Sequence, residues 1–176
     1  MNETLNILKE RRSIRDYKAQ QIKGEELDAI LEAGVYAPSA MGKQSATIVV
    51  VQDKETIAEL SRLNAEIMGK PGIDLFYGAP TVLVVLADPT ASNTVNADHD
   101  GALVMGNLMN AAWSLGIGSC WVNRAKETFE KPEGKALLKK WGLPETLIGI
   151  GNCVLGYAEG AAPAPKPRKE NYIVRV

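Results

Sequence analysis

The stretch Pro80-Thr81-Val82-Leu83-Val84-Val85-Leu86-Ala87-Asp88 decides the fold. From Val82 to Leu86 the run is aliphatic without alternation, so both faces of the strand must be covered, as in a central strand with helices on either side. Downstream, Asp98 to Leu115 reads as a helix that is apolar nearly all round (Leu103, Val104, Met105, Leu108, Met109, Ala112, Trp113). Such a helix belongs in the middle of a fold or in an interface between subunits. Gly116 ends it, and Gly118-Ser119-Cys120-Trp121-Val122 leads into an extended segment. Glu133 to Trp141 is a short helix closed by Gly142, and Leu147 to Tyr157 is a glycine-bearing strand. Upstream, Asn2 can cap a helix carrying Leu5 and Leu8, and a second helix follows Lys23-Gly24 with Leu27, Ile30, Leu31 and Gly34 on one stripe. Pro38 stops that helix, and Pro38 to Lys43 is a loop. Thr47 to Gln52 is β-branched and strand-like; Ile57, Leu60, Asn64 and Ile67 mark a further helix with a polar residue on its face. This order predicts an α+β fold: one central mixed or antiparallel sheet flanked by helices.

The chain of 176 residues fits one domain, with a boundary at 157/158. Residues 158–169 are rich in Ala and Pro, and Tyr172-Ile173-Val174-Arg175-Val176 is expected to form a short strand at the end of an arm. That strand either returns to its own sheet or adds to the sheet of a partner subunit. Twenty basic and 21 acidic residues leave a net charge of -1, which argues against a broad nucleic-acid-binding face. His99 is the one histidine, and Cys120 and Cys153 lie far apart in sequence, so a tetrahedral Cys/His zinc site cannot be assembled. A Ser-His-Asp triad would lack its Gly-x-Ser-x-Gly turn. Gly42-Lys43 is followed by Gln44 and has Ala37 where a P-loop needs glycine, and neither Gly116-Ile117-Gly118 nor Gly149-Ile150-Gly151 completes a dinucleotide fingerprint. No apolar run approaches the ~20 residues of a spanning helix, and two unpaired thiols suit a reducing compartment, so a cytoplasmic location without membrane contact is expected.

Arg11, Arg12, Ser13 and Arg15 lie within five residues and read either as a solvated helix end or as an anion site. Guanidinium groups bind phosphate bidentately, and a hydroxyl adds a donor. Lys166 and Arg168, on a segment stiffened by Pro165 and Pro167, form a second basic group that reads as a solubilising linker or as the other half of the same phosphate site. Pro38-Ser39-Ala40-Met41 is a small-residue loop at which a flat ligand can approach the backbone, with Ser39 and Gln44 as polar side chains. Ser119 to Asn123 offers a similar edge; Trp121 reads as core or as a cofactor wall, and Cys120 as packing or, less readily without a partner cysteine nearby in sequence, as a redox thiol.

Arg11-Arg12-Ser13-Ile14-Arg15-Asp16-Tyr17, Ala37-Pro38-Ser39-Ala40-Met41-Gly42-Lys43-Gln44, Leu115-Gly116-Ile117-Gly118-Ser119-Cys120-Trp121 and Leu155-Gly156-Tyr157 followed by Lys166-Pro167-Arg168 resemble, in that order, the motifs of the nitroreductase family. The resemblance covers nearly the whole chain. It implies an FMN-dependent oxidoreductase that passes hydride from NADH or NADPH to a small-molecule electron acceptor, such as a nitroaromatic or a quinone, by a ping-pong mechanism. It implies that Arg11, Arg12, Ser13, Arg15, Lys166 and Arg168 hold the FMN phosphate, ribityl chain and ring edge. Pro38, Ser39, Ala40 and Met41 would come from the other subunit, Gln44 would join the cofactor site, Cys120, Trp121, Val122 and Asn123 would pass the ring, and Asn64 would reach its pyrimidine edge. It also implies a homodimer with exchanged C-terminal arms, residues 1–157 forming the FMN-binding domain. Gly42 stands where the family often has Asn, Ser45-Ala46 replaces a common Pro-Trp, and the usual lid between Asn64 and Tyr77 is reduced. A flavin-binding protein with little turnover, or a flavin-dependent dehalogenase-like enzyme, are the other functions open to this fold.

Overall fold

The aliphatic run becomes β2 (Thr81–Ala87), every residue of it buried, in a computed structural model that describes residues 2–176. It pairs antiparallel with β1 (Ala46–Val51) on one side and with β4 (Ile148–Gly156) on the other; β4 in turn pairs antiparallel with β3 (Gly118–Val122). The strand order is β1-β2-β4-β3, which leaves β1 and β3 as the two edges. Val82, Val84 and Leu86 point into one core with Leu60, Leu63, Phe129 and Leu138, while Leu83 and Val85 point into a second core with Ile30, Met105 and Leu108. Each such side chain contributes roughly 1.5–3 kcal/mol on burial, so the unalternating run stabilises two layers at once.

The second core lies under α2 (Gly24–Val35) and α4 (Thr94–Ser114). A Cβ on Gly34 would stand 2.6 Å from Leu108 Cδ2, so the missing side chain is what lets α2 and α4 touch. The first core lies under α3 (Lys54–Ile67), α5 (Ala125–Glu130) and α6 (Pro132–Lys140). Helix α1 (Glu3–Glu10) buries no side chain, and Asn2 caps it by accepting from Leu5 N at 3.0 Å.

Two expectations are corrected. Helix α4 starts at Thr94 rather than Asp98, because Asn93 caps it by accepting from Asn96 N at 2.9 Å. Helix α5 has no counterpart in the sequence reading; it is too short to show a period, and Arg124 at φ 77 turns the chain into it directly after β3. Residues 172–176 form no strand within this chain, and Tyr172, Ile173 and Val174 are exposed. No helix among the described residues is long and apolar enough to cross a membrane.

Candidate functional site

Residues 11–18 leave α1 and run across the start of β3. Ile14 N donates to Ser119 O at 2.9 Å, and Ser13 and Ser119 pair as an isolated parallel bridge. Further on, Lys18 N donates to Tyr157 O at 2.9 Å and Glu159 N to Asp16 O at 3.1 Å. Ile14 and Tyr17 are buried, and the Tyr17 hydroxyl donates to Ile14 O at 2.7 Å. With Ile14 anchored inward, Ser13 and Arg15 on either side must face outward along extended backbone.

Arg15, Ser13 and Arg11 all act on the same spot. Burial pushes the Cys120 thiol up, while the Arg15 charge, the Ser13 hydroxyl and the Arg11 charge pull against it, and burial wins. Arg12 behaves differently: its Nη1 donates to Lys9 O at 2.7 Å and Arg11 O at 2.6 Å, tying off the end of α1, while its Nε is buried without a partner. Among the described residues no carboxylate pairs with Arg11, Arg12 or Arg15, whereas Arg62 and Glu66 on α3 form an ion pair. Ser119 Oγ is likewise buried and unpartnered. Cations without counter-ions beside the unused Ser119 hydroxyl are a donor set for an anion of phosphate chemistry.

Strand β3 carries Cys120, Trp121 and Val122 past this segment, and Asn123 follows exposed. Trp121 packs into the α2/α4 core with Nε1 buried and unpartnered. Asn64, expected at a ring edge, is fully buried on α3 and donates through Nδ2 to Asn123 O at 2.6 Å. It fixes the peptide after β3 in place, with Oδ1 left unpartnered.

The loop from Pro38 to Gln44 is a separate structure. A single 3₁₀ turn (Ala40–Gly42) carries Met41 at φ 52 and Gly42 at φ 65, followed by Gln44 at φ 50. Ser39 Oγ accepts from Gln44 N at 2.9 Å. Asp100, on α4 and 3% exposed, accepts from Ala40 N at 2.8 Å and from the Ser45 hydroxyl at 2.7 Å. Asp100 is absent from the candidate residues read from the sequence; its phase with the buried Val104 and Leu108, one and two turns on, is the signal that marks it. The small Ala46 lines a cavity of about 360 Å³ together with Leu31, Pro38, Gln44, Asp100 and Val104.

The expected site residues therefore fall into two groups. Arg11, Ser13 and Arg15 gather beside Ser119 and Cys120 at the start of β3, with Arg12 at the end of α1, and Asn123, held by Asn64, follows the far end of that strand. Pro38 to Met41 and Gln44 sit at the opposite corner of the sheet. Ala46, where the loop enters β1, pairs with Ala87 and so lies level with Ile148, whereas Ser119 pairs with Leu155 at the other end of β4. At ~4.8 Å between strands and ~3.4 Å per residue, the corners are about 14 Å apart across the sheet and about 24 Å along it. Lys166 and Arg168 belong to neither group; they ride on the exposed arm, whose first turns close a small cleft with Ser13, Arg15 and Asp16.

The profile of the nitroreductase family matches residues 8–157. A nitroreductase with bound FMN from Bacteroides fragilis superposes at a TM-score of 0.90 with 35% identity, over 100% of both chains. One from Desulfitobacterium hafniense, also with bound FMN, gives a TM-score of 0.87 and 33% identity over 100% of this chain and 99% of that one. An FMN reductase of Bacillus subtilis that uses NAD(P)H is 29% identical over 96% of this chain and 70% of its own length.

Proposed function

The chain belongs to the nitroreductase family, and from that premise we propose an FMN-dependent oxidoreductase that takes electrons from NADH or NADPH and delivers them to nitroaromatics, quinones or similar small acceptors. The observation that carries the reading is the division of the site between opposite corners of one sheet: neither group suffices alone, and two copies bring them together. In this homodimer Arg11, Ser13 and Arg15 of one copy hold the phosphate, and Arg12 shares its guanidinium between the end of α1 and the ligand. Cys120 to Asn123 present backbone to the ring, and Pro38 to Met41 with Gln44 come from the other copy. Lys166 and Arg168 close over the phosphate as the arm of residues 158–176 packs on the partner, leaving residues 1–157 as the FMN-binding domain.

The donor set fits such a group: cations without counter-ions, a half-buried hydroxyl at Ser13 and an unused buried one at Ser119. FMN supplies the two-electron chemistry when bound, and the protein supplies binding, orientation and shielding. No side chain needs to act as nucleophile. Cys120, the nearest candidate, is kept a neutral thiol by its burial. With a short lid and a single place beside the flavin ring, nicotinamide and acceptor occupy that place in turn, which is ping-pong kinetics. Steady-state oxidation of NADH and of NADPH against a nitroaromatic and a quinone tests this. Parallel double-reciprocal plots are expected, and intersecting plots or a flavin-loaded protein without turnover would contradict it.

A further inference from the structure

The loop from Ser39 to Ser45 has a shape that its own residues disfavour. Met41, Gly42 and Gln44 all lie in the left-handed region, which is unfavourable for the two that carry a Cβ. Burial does not compensate, because Met41 is 83% exposed. What holds the loop is polar. Gly42 N donates to Ser39 O at 3.0 Å, Lys43 N to Ala40 O at 3.1 Å, and Gln44 N to Ser39 Oγ at 2.9 Å. These bonds are internal to the loop and do not fasten it to the body of the protein. The fastening comes from Asp100, whose two carboxylate oxygens accept from Ala40 N at the loop's entrance and from Ser45 Oγ at its exit. Asp88 N, donating to Ser45 O at 2.8 Å, secures the exit end further.

We propose that Asp100 is a positioning residue of the flavin site: by clamping both ends of the loop it fixes Ser39, Ala40 and Met41 in the shape in which they meet the flavin held by a second copy. The inference rests on the functional reading above. Asp100 lies beneath the loop and acts only through Ala40 and Ser45. The clamp needs two acceptors, or one acceptor and a donor that a hydroxyl can answer. Asp100→Asn meets that condition, because its oxygen keeps Ala40 N and its amide donates to a Ser45 hydroxyl that has turned to accept. Asp100→Ala leaves Ala40 N and Ser45 Oγ both unpaired, and Asp100→Asn combined with Ser45→Ala leaves the amide unanswered.

The test uses the full chain and two readouts: amide hydrogen exchange of residues 39–45 without flavin, and dissociation constants for FMN and riboflavin at a temperature where every variant is folded. For Asp100→Ala, exchange at Ala40 and Gln44 is expected to accelerate and both flavins to bind about tenfold more weakly, by the same factor, since the loop faces the ring that they share. Asp100→Asn should restore both properties, and adding Ser45→Ala should lose them in part. A variant of Asp100→Ala that melts earlier yet binds both flavins as before would overturn the proposal, as would a loss confined to FMN. Unaltered protein that takes up no flavin counts against the functional reading instead, and the exchange of residues 39–45 then decides alone whether Asp100 fixes the loop.

Discussion

Two basic segments of this chain carry similar side chains in opposite physical states. Residues 11–15 are sewn to the sheet by Ile14 N to Ser119 O at 2.9 Å, and the Tyr17 hydroxyl on Ile14 O at 2.7 Å braces the segment from within. Residues 166–169 have exposed side chains, and their one ring contact is Lys169 Nζ at 5.2 Å from the Tyr172 ring. The first segment has lost its conformational entropy to folding already; in the proposed dimer the second meets that cost when it docks. A cation cluster thus becomes a candidate site through the backbone beneath it, whereas in the proposed dimer the arm takes its surface from a second copy.

Removing the arm is the most drastic way to break this comparison. Deleting the residues after Ala158 should leave the far-ultraviolet circular dichroism nearly unchanged. FMN binding should weaken about a hundredfold or more, since two charge-assisted bonds go together. The dimer should weaken as well, which sedimentation at micromolar protein will show.

Single arginines sharpen it. Arg168→Ala should cost FMN affinity about ten- to a hundredfold, spare riboflavin, and leave the melting temperature alone. Arg12→Ala should also weaken FMN selectively, but it removes the bonds to Lys9 O and Arg11 O as well. The melting temperature of the apoprotein should therefore fall by about 2–4 °C for each kcal/mol lost. Equal effects of the two variants on melting would erase the distinction between the segments.

Alkaline pH probes the sheet and not the arm. Burial pushes Cys153 up from 9.0 to about 12, so below pH 9 the thiol is neutral in both folded and unfolded chains and nothing changes. Above pH 9 the unfolded chain ionises first, and stability falls by about 1.4 kcal/mol per pH unit until the folded thiol titrates. Tyr17, also raised by burial, steepens the fall above its ordinary value of 10.0. Cys153→Val should flatten the decline between pH 9 and 12 in urea melts. The smallest effect expected is that of Cys120→Ser: turnover should stay within a fewfold, because that residue packs while its backbone faces the site. An inactive variant that still holds FMN would refute that role.

Much of this architecture could be read in the sequence because hydrophobic patterning reports burial. The unalternating run at Val82 to Leu86 announced a strand covered on both faces, and the four ordered motifs announced the family. Helix α5 escaped because six residues show no period, and its start depends on a left-handed Arg124 that no residue type signals. Asp100 escaped because a carboxylate near the start of a mostly apolar helix looks like its solvated end until the loop that covers it is known. Asn64 was legible as a special residue but not in its role, since its partner is a backbone carbonyl 59 residues away. Periodicity describes surfaces that meet water or core, and it is silent about hydrogen bonds between distant loops.

The claim that one site is built from two chains has a direct test in mixed dimers. One variant carries Arg11→Ala and Arg15→Ala; the other has residues 39–44 replaced by a flexible linker. Each alone should bind little FMN. Unfolded together and refolded, random pairing should restore full-affinity binding at about one site in four, because a mixed dimer unites the intact segment of one chain with the intact loop of the other. Recovery of FMN binding to that level is the predicted result, and no recovery in a mixture that contains mixed dimers by mass would contradict the account.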